Sequence, residues 1–311
     1  MTEPLPNAEP ETRCGYVTLM GAPNAGKSSL MNRFVGERLS IVTPKAQTTW
    51  SRVTGLLTEK DVQVVFLDTP GILKPRDLLQ ESLLASARTA VREADVLLVL
   101  LDAAARLDPE RRERLVAVRR ESEAPVVVAV NKVDAASAAD VEAEAEWARE
   151  HLAEEVHRIS ALRGDGTDQL LARIRDHLPP APFLYPPDDI ATEPVRFFAA
   201  ELVRETVFEE FREEIPYSVF CQVEEFREAD TPIYIQVNIY VERASQKGML
   251  IGEKGSAIRR LGTRSREKLE HFLGARVYLD LWVKVLPKWR KKAAQLKRLG
   301  FQVPEGHASD S

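Results

Sequence analysis

Eight residues near the N-terminus, Gly21-Ala22-Pro23-Asn24-Ala25-Gly26-Lys27-Ser28, restrict what this chain can fold into more than any other stretch. Their G-x-x-x-x-G-K-[ST] spacing is that of a phosphate-binding P-loop, which needs a strand before it and a helix after it. Both are in the pattern. Tyr16-Val17-Thr18-Leu19-Met20 is apolar and β-prone, and Ser29-Leu30-Met31-Asn32-Arg33-Phe34 is helix-forming. The glycines let backbone N–H groups and the helix N-terminus face phosphate oxygens. Lys27 then reaches the β- and γ-phosphates, and the Ser28 hydroxyl holds Mg²⁺. A nucleoside triphosphate site is expected from Gly21, Asn24, Ala25, Gly26, Lys27, Ser28 and Ser29.

The residues that follow keep the order such a site requires. The polar segment Gly36–Trp50 contains Lys45-Ala46-Gln47-Thr48-Thr49, where a threonine would sense the γ-phosphate and Mg²⁺. Thr49 is the first candidate and Thr48 the second. Two strands, Arg52–Leu57 and Val62–Leu67, read as a hairpin, and the second ends in Asp68-Thr69-Pro70-Gly71. Asp68 is expected to anchor Mg²⁺ and the Gly71 N–H to meet the γ-phosphate. Helix Leu79–Glu93, strand Val96–Asp102, helix Pro109–Glu123 and strand Val126–Val130 come next. That strand ends in Asn131-Lys132-Val133-Asp134. A carboxylate at Asp134 accepts from both N1–H and the 2-amino group of guanine, a donor pair that adenine lacks. Such a buried polar match can discriminate by ~10⁴-fold or more. Asn131 would brace the base pocket and the Lys132 stem would cover a base face. After helix Ala138–Leu152 and strand Val156–Ile159, the backbone N–H groups of Ser160-Ala161-Leu162 are expected at the guanine O6. Helix Thr167–Leu178 closes a six-stranded, mostly parallel α/β sheet with helices on both faces and its ligand at the strand ends.

Ile72 stands where many GTPases carry a water-orienting glutamine, so hydrolysis is expected to rest on backbone groups, switch loops or an added cation. The catalytic set read from these motifs is Lys27, Thr49, Asp68 and Gly71, with Ser28, Thr49 and Asp68 for the metal.

Leu178-Pro179-Pro180-Ala181-Pro182 and Tyr185-Pro186-Pro187 continue neither helix nor sheet. They divide the chain into a nucleotide domain at 13–179, a linker at 180–192 and a second domain at 193–302, with flexible tails at 1–12 and 303–311. The formal charge of −5 conceals an asymmetry at this point. Arg243–Arg298 holds sixteen basic and four acidic residues, whereas Glu193–Asp230 holds four basic and eleven acidic. A basic block of that size suggests nucleic acid or another anionic surface. The second domain reads helix (Glu193–Glu214), strand (Ser218–Val223), strand (Ile233–Glu242), helix, Gly252-Glu253-Lys254-Gly255, helix (Ser256–Phe272) and strand (Arg276–Val285). A basic helix, Lys288–Leu299, closes it. Gly-x-x-Gly between two helices in an α-β-β-α-α-β order is a small α+β KH domain of type II topology. Its glycines admit the backbone of single-stranded RNA and Lys254 neutralises a phosphate. Arg259, Arg260, Lys288 and Arg290 are the neighbouring cations assigned to RNA. Trp282 and Trp289 could stack on bases, although core packing is the commoner fate of a strand tryptophan. Two widely spaced cysteines, Cys14 and Cys221, and the lack of an apolar signal segment or a ~20-residue span point to the cytosol.

A guanine-nucleotide domain followed by such a KH domain resembles the Era family of bacterial ribosome-assembly GTPases, from about Arg13 to Val303. Lys45-Ala46-Gln47-Thr48-Thr49, Lys74-Pro75 and Ile215-Pro216-Tyr217-Ser218 belong to the resemblance. It implies slow GTP hydrolysis with GTP/GDP and Mg²⁺, and binding of the 3′ end of 16S rRNA during 30S subunit assembly. It also implies some peripheral membrane association, and it makes Asn24 a catalytic residue that holds K⁺ in place of an arginine finger; the alternative is that Asn24 only stabilises the loop turn. The chain is expected to be a monomer. The other reading is a membrane-associated or cell-cycle GTP switch whose basic C-terminal segment binds anionic lipid. Three residues depart from the family pattern: Trp50 for a basic residue, Leu73 for a frequent histidine, and Glu253, which adds a negative charge to the RNA loop.

Overall fold

The computed structural model describes residues 12–304 apart from Pro44, Ala46, Gln47, Leu73 and Leu107. Ala46 and Gln47 of the first switch, the Leu73 departure and nearly all of both expected tails therefore lie outside the described residues. The chain forms two compact units, with the main break between Thr192 and Glu193; the short segments Ile41–Thr48 and Arg76–Ser82, the latter including the start of the helix Leu78–Glu93, group with the second.

The first unit runs β1 (Arg13–Gly21), α1 (Lys27–Val35), β2 (Val53–Glu59), β3 (Val62–Asp68), α2 (Leu78–Glu93), β4 (Val96–Asp102) and α3 (Pro109–Arg119). It continues through β5 (Val126–Asn131), α4 (Ala138–His151), β6 (Val156–Arg158) and α5 (Thr167–His177). The sheet order is β2-β3-β1-β4-β5-β6. β2 is antiparallel to β3, and every other pairing is parallel. All seven residues of β4, VLLVLLD, are buried, which requires cover on both faces of the sheet. Parallel register pairs Leu19 with Asp68 and Asp102 with Asn131. The P-loop, Asp68 and Asn131 therefore leave the sheet at one edge. Asp108 caps α3 by accepting from the Arg111 N–H at 2.9 Å, with Pro109 in the first turn. α3 stops at Arg119, short of the expected Glu123, because the chain must be extended before Pro125 to enter β5.

The Pro-rich segment is not a free hinge. Buried Gln63 accepts from the Leu184 and Tyr185 N–H groups at 2.9 and 3.0 Å and donates to the Tyr185 carbonyl at 2.8 Å. The Leu56 N–H donates to the Ile190 carbonyl at 2.9 Å. Ala181, Phe183 and Tyr185 pack on a cluster of Cys14, Leu56, Val65, Leu67 and Ala90. Prolines exclude a regular ladder here, yet one glutamine on β3 satisfies two of the segment's amides, Leu184 and Tyr185.

The second unit runs α6 (Val195–Glu210), α7 (Ile215–Ser218), β7 (Phe220–Arg227), β8 (Ile233–Val241), α8 (Ala244–Ile251), α9 (Ser256–Leu273), β9 (Val277–Val285) and α10 (Ala293–Arg298). Its sheet is β7-β8-β9, antiparallel then parallel. One face carries the core, in which Ile235, Val237 and Ile239 meet Val203 and Val207 of α6 and Leu261 and Leu269 of α9. The first helix ends at Glu210 rather than Glu214: Phe211 is extended, Glu213 is left-handed at φ 55°, and Pro216 opens the short α7. The expected basic helix Lys288–Leu299 is broken. Trp289–Lys291 forms a single 3₁₀ turn, Lys292 is extended, and only Ala293–Arg298 is α-helical. Trp289 causes the break. It is fully buried, stacks on Phe301, touches Phe220 and donates its indole N–H to the Ser218 carbonyl at 3.4 Å.

Candidate functional site

The glycines of the phosphate loop have separate reasons. Gly26 precedes α1 at φ 98°, and a Cβ there would lie 2.1 Å from the Asn131 Nδ2. Gly21 packs so closely on β4 that a Cβ would lie 2.5 Å from the Leu100 carbonyl oxygen. Asn24, at φ 65°, is a left-handed exposed turn residue, Ala25 beyond it is buried, and Ser28 and Ser29 open the helix. The buried Lys27 ammonium donates back to the Gly21 and Ala22 carbonyls at 3.3 and 3.0 Å. Burial lowers its pKa to about 8, against a partial offset from Asp68.

Three oxygen side chains converge beside it. The Ser28 hydroxyl donates to Asp68 Oδ2 at 2.6 Å, the Thr49 hydroxyl lies 3.3 Å from the same oxygen, and the two hydroxyls are 3.2 Å apart. Thr49, not Thr48, is the threonine drawn into this cluster. Burial raises the Asp68 pKa, opposed by Lys27 and the Ser28 hydrogen bond. Asp68 Oδ1 is buried with no hydrogen-bond partner. An orphaned carboxylate oxygen beside two hydroxyls fits Mg²⁺, a hard ion that takes few protein oxygens and keeps the rest of its shell for water and phosphate.

The loop after β3 lies against the P-loop. Thr69 donates its hydroxyl to the Leu19 carbonyl at 2.8 Å, and Pro70 is buried. A Cβ on Gly71 would sit 2.5 Å from Pro23 N, and the Ile72 N–H donates to the Gly21 carbonyl at 3.1 Å. Ile72 is buried in the core with Met20 and Val99, so its side chain is packing rather than chemistry.

At the base end, Asn131 donates to the Ala25 carbonyl at 2.8 Å and accepts from the Ala161 N–H at 2.9 Å. This ties the phosphate loop to Ser160-Ala161-Leu162. It also means that the Ala161 N–H, one of the donors expected at the guanine O6, is already engaged. Lys132, at φ 68°, pairs with Asp102 at 2.5 Å. A hydrogen bond from Ser160 holds the Asp134 carboxyl below the usual carboxylate range. Leu162 is 78% exposed. Motif reading overlooked Arg33, on the exposed side of α1, which donates to the Ala161 and Leu162 carbonyls at 2.7 and 2.6 Å. No local signal marks a pairing across 128 residues.

In the second unit, α8 ends at Gly252, whose Cβ would lie 2.7 Å from that of Ala257, and a turn through Glu253, Lys254 and Gly255 starts α9. Lys254 and Gly255 are left-handed at φ 49° and 77°. Arg259 braces this turn by donating to the Lys254 carbonyl at 2.9 Å. Arg260 does not stand free for phosphate: it pairs with Glu210 of α6 at 2.6 Å, and Arg264 joins the same carboxylate. Lys268 bridges Glu205 and Glu209 at 2.8 and 2.7 Å. Arg290 donates to the Tyr217 carbonyl at 3.0 Å, and Lys288 is an exposed left-handed residue. The two tryptophans divide. Trp289 is core. Trp282 is 54% exposed, but alternation with Leu281 and Val283 puts it on the sheet face opposite α9, away from the Gly-x-x-Gly turn.

Comparisons with known proteins agree with both halves. The family described as 50S ribosome-binding GTPase matches residues 16–132, and the KH domain matches residues 214–290. GTPase Era of Thermotoga maritima is 42% identical over 283 residues, covering 90% of this chain and 94% of its own. GTPase Era of Nitratidesulfovibrio vulgaris is 41% identical over 305 residues, covering 94% of this chain and 98% of its own. Among solved structures, Aquifex aeolicus Era bound to GDP·AlF4⁻ superposes with a TM-score of 0.88 at 37% identity, covering 94% of this chain and all of that one. An Era in complex with MgGDPNP and nucleotides 1506–1542 of 16S ribosomal RNA superposes at 0.89, with the same identity and coverage. With the P-loop, base loop and Gly-x-x-Gly turn all in place and identity above 40% across nine-tenths of its length, the chain belongs to the GTPase Era family.

Proposed function

We propose that this chain is a slow GTPase that reports on RNA. Residues 13–179 bind and hydrolyse GTP, residues 193–302 bind the 3′ end of 16S rRNA, and the two act together in 30S subunit assembly in the cytoplasm. The observation that carries the nucleotide half is the convergence of Ser28, Thr49 and Asp68 beside the Lys27 amine, with Asp68 Oδ1 unpartnered. In this reading Lys27 turns from the loop carbonyls to the β- and γ-phosphates, and the N–H groups of Asn24 through Ser29 line the phosphate path. Asp134 selects guanine, and Asn131 keeps base and phosphate loops in register. Mg²⁺, held by Ser28, Thr49 and Asp68, supplies charge neutralisation on the phosphates. With Ile72 committed to the core, backbone groups, Gly71 among them, orient the attacking water, and Asn24 would hold K⁺, which would supply the positive charge that an arginine finger gives elsewhere.

For the RNA half, the support is the turn Gly252-Glu253-Lys254-Gly255 between α8 and α9, with Glu253 and Lys254 exposed and Lys254 and Gly255 left-handed, in a family whose solved member carries 16S rRNA nucleotides. Among the described residues, no helix is long and apolar enough to cross a membrane. Any membrane contact is assigned to anionic lipid attracted by the basic C-terminal segment. The test is GTP hydrolysis in KCl, with and without an oligonucleotide copying the 3′ end of 16S rRNA. Stimulation is expected. RNA that binds without changing the rate would reduce the KH domain to an address and overturn the reporting role. Gly252→Asp should remove RNA binding and spare binding to anionic vesicles; loss of neither would place RNA elsewhere.

A further inference from the structure

We infer that Arg33 is a positioning residue for guanine recognition, aiming the backbone donor that reads the base's O6. The inference rests on the nucleotide-site reading above. α1 carries the phosphate ligands Lys27 and Ser28 at its start and Arg33 in its last turn. From there the guanidinium reaches the base loop, with Nε on the Ala161 carbonyl at 2.7 Å and Nη2 on the Leu162 carbonyl at 2.6 Å. Gly164, left-handed at φ 98°, leaves room for it, since a Cβ there would lie 2.7 Å from Arg33 Nη1.

The chemistry follows from the peptide plane. The Ala161 carbonyl and the Leu162 N–H belong to one planar trans amide, so they point in opposite directions. Holding the carbonyl fixes the heading of the N–H. A charged donor on the carbonyl also polarises the amide and strengthens its N–H as a donor. The Ala161 N–H meets Asn131 Oδ1 here, whereas the Leu162 N–H, whose heading Arg33 sets, is the donor offered to O6. Asn131 and Arg33 thus grip the loop from two sides, and both lead back to the phosphate site: Asn131 through Ala25, Arg33 through its own helix. A merely structural arginine at a helix C-terminus would settle the helix dipole and leave base selectivity alone.

The experiment measures affinity of the full chain for three diphosphates by competition with fluorescent GDP. 6-Thioguanosine diphosphate replaces O6 with sulfur and keeps the N1–H and 2-amino groups; inosine diphosphate lacks only the 2-amino group that Asp134 reads. The wild type should prefer GDP over the thio analogue by about tenfold. In Arg33→Ala that ratio should fall towards one while the GDP-to-inosine ratio is kept. Arg33→Lys, with one reachable donor, should restore part of it. Equal weakening of all three ligands, or no change, would overturn the positioning role. A wild type that prefers GDP over inosine diphosphate but not over the thio analogue would instead show that the base loop does not read O6, and the proposal would fall with that reading.

Discussion

Lys27 is the binding residue whose energetics can be worked furthest from the structure. The unfolded chain holds its proton to about 10.5, whereas the buried amine loses it near pH 8. Keeping it charged in the folded, nucleotide-free protein therefore costs about 3 kcal/mol at neutral pH. Between pH 8 and 10.5 the unfolded state binds more protons than the folded one, so stability rises with pH through that window as the cost is relieved. Asp68 complicates a direct test, because its buried carboxyl would titrate in place of the missing partner. Lys27→Met is therefore compared in an Asp68→Asn background. Loss of the carboxylate lowers the amine's pKa further, so about 3 kcal/mol is a floor. Urea unfolding of nucleotide-free protein should find Lys27→Met the more stable chain at pH 7 by at least that amount, and the difference should shrink by at least about 2 kcal/mol by pH 9.5. A difference that stays flat between pH 7 and 9.5 would refute the reasoning. The functional counterpart is that phosphates give the ammonium its partner, so wild-type affinity for GTP should weaken as pH rises above 8.

Three further outcomes are expected. Gly26→Ala places a methyl 2.1 Å from Asn131 Nδ2 at φ 98°, and should weaken GDP binding at least 100-fold by calorimetry while the far-UV spectrum is kept. Thr49→Ala should cut Mg²⁺-dependent hydrolysis by tenfold or more and Thr48→Ala by much less; the reverse order would reassign the switch threonine. Hydrolysis should be several-fold faster in KCl than in NaCl at equal ionic strength, and equal rates would remove the cation from Asn24.

Contiguous motifs were readable because each is a local backbone solution. The P-loop, Asp68-Thr69-Pro70-Gly71, Asn131-Lys132-Val133-Asp134 and Gly252-Glu253-Lys254-Gly255 each fix their own turn, and the strands between them had only to be apolar. Alternation along β9 likewise held enough to place Trp282 opposite Leu281. What stayed hidden were partners chosen by tertiary packing. Gln63 looks like any polar residue in a strand until the 184–185 amides arrive on it. Arg260 looks like a phosphate ligand until Glu210, fifty residues earlier, is beside it. The break at Lys292 follows from where the Trp289 ring is buried, a cost that helical spacing does not carry.

The α6–α9 ion pairs bear on how this protein would leave its RNA. Counterion release, and hence salt dependence, scales with the cations that actually neutralise phosphate. Arg260, Arg264 and Lys268 already hold carboxylates on α6, so the acidic and basic blocks of the sequence cancel along that seam. The log–log dependence of RNA affinity on salt should therefore be shallower than sixteen basic side chains would give, because these three are already paired. A grip built that way spends less of its strength on indiscriminate attraction to ribosomal RNA, so letting go depends more on the specific contacts than the sequence's charge alone suggests.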